Sequence, residues 1–135
     1  MTIGKLSLKP VGELVLEYQK RLKHYSPVEM ISLKSLEALP KRLDAGDFLV
    51  ALDEKGKSFD SRALAKWLEN KKMDGTKSLV FLVGPGEGLP EAIKTKADLL
   101  LRLSDFTLQH ELALVILMEQ IYRASTILKG EPYHK

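Results

Sequence analysis

Leu79-Val80-Phe81-Leu82-Val83 runs without a polar interruption into Gly84-Pro85-Gly86-Glu87-Gly88. A short run with no polar side needs cover on both faces, and a parallel sheet between helices supplies it. The glycines that follow let the backbone turn tightly and approach a ligand closely. A tight strand-to-helix turn with no ligand satisfies the same pattern, so both readings stand. The spacing is neither Gly-x-Gly-x-x-Gly nor a phosphate loop ending in Gly-Lys-Ser/Thr.

Two further runs behave alike, Phe48-Leu49-Val50-Ala51-Leu52 and Leu99-Leu100-Leu101-Arg102-Leu103. Helical spacings lie between them. Val11, Leu14, Val15, Tyr18 and Leu22 predict a helix over 11–25, stopped by Pro27. Ser61 reads as the N-cap of a helix to about Lys71 whose inner face is Ala63, Leu64, Trp67 and Leu68. Pro90 opens a helix to about Ala97, and the last helix runs from about His110 to Leu128. Residues 3–8 read as a short first strand, 28–33 as another, and 35–43 as a short helix interrupted at Pro40. Residues 53–58 read as a polar loop, and Asp74-Gly75 as a turn. Strand alternating with helix predicts an α/β fold, a parallel sheet with helices on both faces.

A chain of 135 residues suits a single domain, 1–135. It has no cysteine, so no disulfide and no thiolate metal site, and His24, His110 and His134 are too scattered for a zinc site. The longest apolar run, Leu112–Met118, falls far short of the ~20 residues that span a bilayer. The first residues lack the apolar core of a signal peptide, so a cytoplasmic protein is expected. A net charge of +3 is compatible with an RNA or phosphate partner without requiring one.

The ends of the three apolar runs could line one pocket, made by Leu52, the Gly84 turn and residues 103–108. The last helix is apolar almost all round, so either a second subunit covers it, with Leu117 at the interface, or it lies at the centre of its own core. Glu119 and Arg123 are one helical turn apart, as a structural ion pair or with Arg123 serving an anionic substrate. Tyr133-His134-Lys135 is either a solubilising end or a working tail. His110 reads as a cap or a packed side chain.

Taken together, Phe81–Leu89, Leu103-Ser104-x-x-Thr107-Leu108-x-His110, Glu119–Ala124 and Gly130–Lys135 resemble the RlmH (YbeA-type) family, the SPOUT-class methyltransferases of bacterial ribosomal RNA. Gly4-Lys5-Leu6, Glu17-Tyr18-x-Lys20-Arg21-Leu22 and Leu52-Asp53-x-x-Gly56-Lys57 fit as well. The resemblance implies a C-terminal trefoil knot, a homodimer, and S-adenosyl-L-methionine as methyl donor. It implies methylation of N3 of a pseudouridine in 23S ribosomal RNA within the assembled ribosome. By matching positions, the cofactor would meet Leu52, Gly84, Gly86, Gly88, Leu103, Ser104, Asp105, Phe106, Thr107 and Leu108. Arg123, Tyr133 and His134 would face the methyl acceptor, with His134 handling the proton and Arg123 steadying the developing anion. No metal is implied.

Two departures stand out. Pro85 occupies a position where the family usually has glycine; it removes one N–H and leaves its carbonyl available. The first strand is short. These motivate an alternative of another class: a non-catalytic, dimeric ribosome-binding protein of the same fold that has lost its cofactor. A nucleotide-binding enzyme using the Gly84 turn lacks the lysine it would need.

Overall fold

The computed structural model describes residues 1–135. In chain order it contains β1 (Thr2–Ile3), α1 (Lys9–Leu22), β2 (Ser32–Leu33), a 3-10 helix (Leu36–Arg42), β3 (Asp47–Ser58) and α2 (Ser61–Met73). Then follow β4 (Ser78–Leu82), α3 (Glu91–Lys96), β5 (Leu99–Arg102) and α4 (His110–Leu128). All strand pairings are parallel, as the unbroken apolar runs predict. The chain forms two compact units, each drawn from separated stretches: 1–5, 30–58 and 76–110 in the first, 6–29, 59–75 and 111–135 in the second.

The first unit holds the strands. Its central strand is β3, flanked by β4 and β5. Val50 lies opposite both Phe81 and Leu99 and is fully buried. Leu49 and Ala51, two apart and so on one face, join Leu33, Leu82, Leu39 of the 3-10 helix, Leu89 and Ile93 of α3 in an apolar cluster. β1 pairs with β2, and a single bridge from Thr2 to Val83 brings it alongside the end of β4. β2 spans only Ser32–Leu33 rather than 28–33, because β1 offers only Thr2 and Ile3 as partners. The 3-10 helix continues through Pro40 where an interruption was expected, since proline's fixed φ suits its tight turn.

Residues 53–58 are part of β3 and not a separate loop. Both Leu52 and Lys57 lie opposite Leu101, so the residues between them form an excursion from the strand. Gly56 lets the chain return: a Cβ there would stand 2.6 Å from the Leu100 carbonyl. Any larger residue would hold β3 off β5.

The second unit holds α1, α2, α4 and the C-terminal tail. α1 starts at Lys9, before Val11, with Pro10 in its first turn. Leu8 has no side-chain acceptor to offer the opening turn. The buried carboxylate of Glu111 accepts instead from the backbone N–H groups of Ser7 (2.8 Å) and Leu8 (3.1 Å) and from the Ser7 hydroxyl. α1 ends at Leu22, short of Tyr25, whose N–H still reaches the Leu22 carbonyl at 3.0 Å. In α2 the cap is Asp60, not Ser61: the Asp60 carboxylate accepts from Ala63 N–H at 2.7 Å. Ser61 donates instead to Gln120 Oε1 of α4 at 2.7 Å.

α4 has the bounds expected from the sequence. Gly130, at φ 69°, accepts the left-handed conformation. Its N–H reaches Ile127 O at 3.1 Å and the Glu131 N–H reaches Thr126 O at 3.0 Å, a Schellman ending that turns the chain back along the helix. Leu117 is only 2% exposed within a single chain, so it belongs to the protein's own core and not to a subunit interface. Leu112 is the large apolar residue of α4 that stands exposed, as are Leu14 and Leu16 on α1.

Candidate active site

Each unit gathers its own set of candidate residues. In the first unit β4 and β5 end side by side with the point where β3 leaves its regular path, so Gly84, Leu52 and Leu103 follow one another along one sheet edge. This is where open parallel sheets receive ligands. Side chains fasten the loops at this edge. Lys94 Nζ of α3 meets Asp53 Oδ2 at 2.7 Å, and the Lys55 N–H reaches Asp53 Oδ1 at 2.7 Å. Asp53 is nearly buried; its hydrogen bond from Lys94, then that from Lys55, holds its carboxyl below the ordinary range. Thr107 Oγ1 donates to Glu54 Oε2 at 3.2 Å, tying residues 103–108 to the β3 excursion. Ser104 Oγ accepts from Phe106 N–H at 2.9 Å, and the Phe106 ring stands 83% exposed. Asp105 is paired outward with Arg102 at 3.2 Å. Leu103 and Leu108 are half-buried.

The glycines at this edge do different work. A Cβ on Gly84 would come within 2.8 Å of Leu89, a core residue, so Gly84 is small because of packing. Gly88 has φ 89°, and its N–H closes a turn onto Pro85 O at 2.9 Å. The Pro85 carbonyl, expected to be available, thus already spends one lone pair inside the turn. Gly86 is exposed, and a Cβ there would meet only His110 Nδ1, at 3.6 Å. The fold therefore does not require glycine at position 86.

Would this edge accept a nucleoside bearing an amino-acid tail? It offers apolar cover from Leu52, Leu103 and Leu108 and backbone amides and carbonyls from three loops. Arg102 Nε is buried with no partner, an open donor next to the 103–108 loop. Those features fit such a molecule.

In the second unit the tail packs back onto α4. Glu119 Oε1 accepts from Arg123 Nε at 3.0 Å, Arg123 Nη2 at 2.6 Å and Tyr133 OH at 3.1 Å. Arg123 Nη1 lies 3.2 Å from His134 Nδ1. A guanidinium only donates, so Nδ1 accepts and the ring proton sits on Nε2. The Arg123 guanidinium also stands over the Tyr133 ring, 4.9 Å from its centre, and Tyr122 meets the same ring edge-on at 4.8 Å. Burial, followed by the Glu119 charge, pushes the Tyr133 phenol up to about 12, so it is a donor at neutral pH. Arg123, Tyr133 and His134 thus form one hydrogen-bonded group rather than a loose end. Glu119 organises it, a role the spacing with Arg123 only hinted at.

No three of the chain's histidines and acidic side chains come together as a metal site, and no helix is long and apolar enough to cross a membrane.

A parallel sheet edge with an open glycine turn, in a chain that ends in an ordered Tyr-His-Lys tail, defines a class. The family model described as "Predicted SPOUT methyltransferase" matches residues 1–134, and the chain belongs to that family. Its relatives narrow the placement. The chain is 45% identical over 136 residues to the ribosomal RNA large subunit methyltransferase H of Thermus thermophilus, covering 100% of this chain and 96% of that protein. It is 41% identical over 150 residues to the protein of that name from Parabacteroides distasonis, covering 99% and 96%. It is 35% identical over 149 residues to that of Syntrophotalea carbinolica, again covering 99% and 96%. The RlmH resemblance read from the motifs is thereby established.

Proposed function

We propose that this protein is an S-adenosyl-L-methionine-dependent methyltransferase of large-subunit ribosomal RNA. One observation carries the reading. In a chain of this family, the ends of β4 and β5, at Gly84–Gly88 and Leu103–Leu108, share one sheet edge with Leu52, where the excursion of β3 begins, and there is open space at Gly86. The names of its relatives support the ribosomal RNA substrate. The family resemblance supports the finer reading: N3 of a pseudouridine in 23S RNA, methylated within the assembled ribosome by a cytoplasmic homodimer. It likewise supports a single domain spanning 1–135, with its C-terminal part threaded as a trefoil knot. The exposed Leu14, Leu16 and Leu112 favour a second copy as cover for the second unit.

The bound cofactor supplies an activated methyl group. This chain's residues bind and align it. Leu52, Leu103 and Leu108 shield its apolar parts, the backbone of the Gly84–Gly88 turn and of residues 104–107 meets its polar atoms, and Arg102 Nε offers a buried donor. Alignment for in-line transfer is the larger part of the catalysis. On the acceptor side, Arg123 steadies the anion left when an imide N–H is lost. His134 Nδ1 is engaged by Arg123 and takes a proton only when Arg123 turns to the acceptor. His134 Nε2–H is the donor that orients the base, and Tyr133, its hydroxyl committed to Glu119, holds Arg123 in place.

The experiment is methyl transfer from labelled cofactor to ribosomes that lack the modification, with the methyl position read by mass spectrometry. Label at a pseudouridine of the large-subunit RNA is expected; unlabelled RNA overturns the reading. Pro85 favours the alternative of a ribosome-binding protein without cofactor, since it removes an N–H from the turn. Calorimetry with S-adenosyl-L-methionine separates the two.

A further inference from the structure

All four tyrosines of this chain meet in the second unit. Tyr122 of α4 is their centre. The rings of Tyr18 and Tyr25 each lie 6.0 Å from it, at interplanar angles of 48° and 79°, and Tyr133 lies on it at 4.8 Å. The Arg21 guanidinium sits 5.4 Å from the ring centres of both Tyr18 and Tyr122, steered by Glu17 Oε1 at 2.9 Å. Tyr18 and Arg21 are three apart on α1 and share a face, and the turn after Leu22 brings Tyr25 to the same Tyr122 ring. The Tyr25 hydroxyl then donates to the carboxylate of Glu131, the first residue beyond the Gly130 turn. None of the four rings is buried in the core. A cluster of half-exposed tyrosines with a cation over two of them contributes modestly to the fold. What it does contribute is order in the tail. Glu131 is held by Tyr25, Tyr133 by Tyr122, Arg123 and Glu119, and His134 by Arg123.

We propose that the end of α1 and the turn that follows it clamp the acceptor-side tail, with Arg21 and Tyr25 as positioning residues that act on Tyr133 and His134 through Tyr122 and Glu131. The proposal rests on the methyltransferase reading only for the chemistry the tail performs; the clamping itself is independent of it. Tyr25→Phe deletes the hydroxyl and keeps the ring. Glu131→Ala deletes its acceptor, and Glu131→Gln keeps one.

Two readouts are taken on the full-length protein. The first is amide hydrogen exchange at Gly130 and Glu131, whose N–H groups close the start of the tail onto Ile127 O and Thr126 O. It should rise at least fivefold in Tyr25→Phe and in Glu131→Ala, remain near wild type in Glu131→Gln, and rise no further in the Tyr25→Phe/Glu131→Ala double variant. The second is ribosome methylation. The two disruptive variants should lower kcat three- to tenfold with cofactor KM unchanged and only a modest fall in melting temperature, and Glu131→Gln should rescue. Unchanged exchange in the tail of both disruptive variants overturns the clamp. Faster exchange with unaltered kcat overturns its part in positioning. If wild-type protein leaves ribosomes unmethylated, the enzymatic reading fails while the exchange result still decides whether α1 holds the tail.

Discussion

Arg123 donates through Nη1 to Nδ1 of His134 at 3.2 Å, so the ring nitrogen a base would use is already taken. The same guanidinium is held from its other side by Glu119. On the proposed function, an arriving anion would compete with His134 for Arg123, and winning it would free the lone pair.

This geometry makes the two residues a coupled unit. His134→Ala should lower methylation by roughly 10²–10⁴ if the freed nitrogen acts as a base. Arg123→Gln should also lower kcat at least tenfold, with cofactor affinity intact. The double variant should lose much less than the product of the two single losses, because each single change already breaks the exchange. Losses that multiply independently would sink the mechanism.

At the helix expected to join two copies, neighbouring leucines should behave in opposite ways. Leu117 is 2% exposed, and Leu117→Asp should destabilise the chain by on the order of 4 kcal/mol and yield aggregate. Leu112 is 49% exposed, so Leu112→Asp should fold normally and run as a monomer in light scattering where wild type runs as a dimer. A folded Leu112→Asp dimer would place the interface elsewhere.

The glycines of the turn can be told apart by substitution. Gly84→Ala should cost about 1–3 kcal/mol by pushing on Leu89. Gly88→Ala should cost about 1–2 kcal/mol because φ 89° suits no side chain. Gly86→Val meets no such obstacle in the fold, so its melting temperature should stay put while cofactor affinity falls at least tenfold. For that reason Gly86→Val is a cleaner probe of the pocket than Gly88→Val. Normal cofactor binding by Gly86→Val, measured by calorimetry, would remove the pocket from this edge.

Alkaline pH tests the tyrosine cluster. The hydrogen bond to Glu131 pushes the Tyr25 phenol up to about 12, and burial against α4 does the same for Tyr133, from an ordinary 10.0. Between those values the unfolded chain releases these protons while the folded chain keeps them. Stability from this source is therefore complete below pH 10 and declines as pH rises towards 12. Urea midpoints at pH 8 and pH 11 should differ less in Tyr25→Phe and in Tyr133→Phe than in wild type. Equal differences in all three would show that the cluster does not hold these protons.

Much of this could be read from the chain itself, because apolar runs such as Leu79–Val83 have few ways to be buried. The bounds of α4 and the parallel pairing follow directly from that. Two kinds of feature did not. The excursion after Leu52 depends on what Gly56 meets, and its neighbour Leu100 is remote in sequence. The order in the tail depends on Tyr25 finding Glu131 and on Tyr133 finding Glu119, partners that no local pattern announces. Ser61 and Asp60 both suit a cap, and only the presence of Gln120 beside Ser61 decides between them. The ends of β4 and β5 were legible from their apolar runs, whereas the different duties of Gly84, Gly86 and Gly88 required their surroundings.

The bridge from Thr2 to Val83 has a consequence for how this protein is made. Translation delivers β1 first, yet its neighbour on the inner side is the end of β4. The central strand, β3, likewise pairs only with strands that leave the ribosome after it. Contacts between such distant stretches form late, since each must close a long loop of chain. The opening residues must therefore stay free of other partners while most of the polypeptide is synthesised, and the sheet is finished only from its C-terminal half.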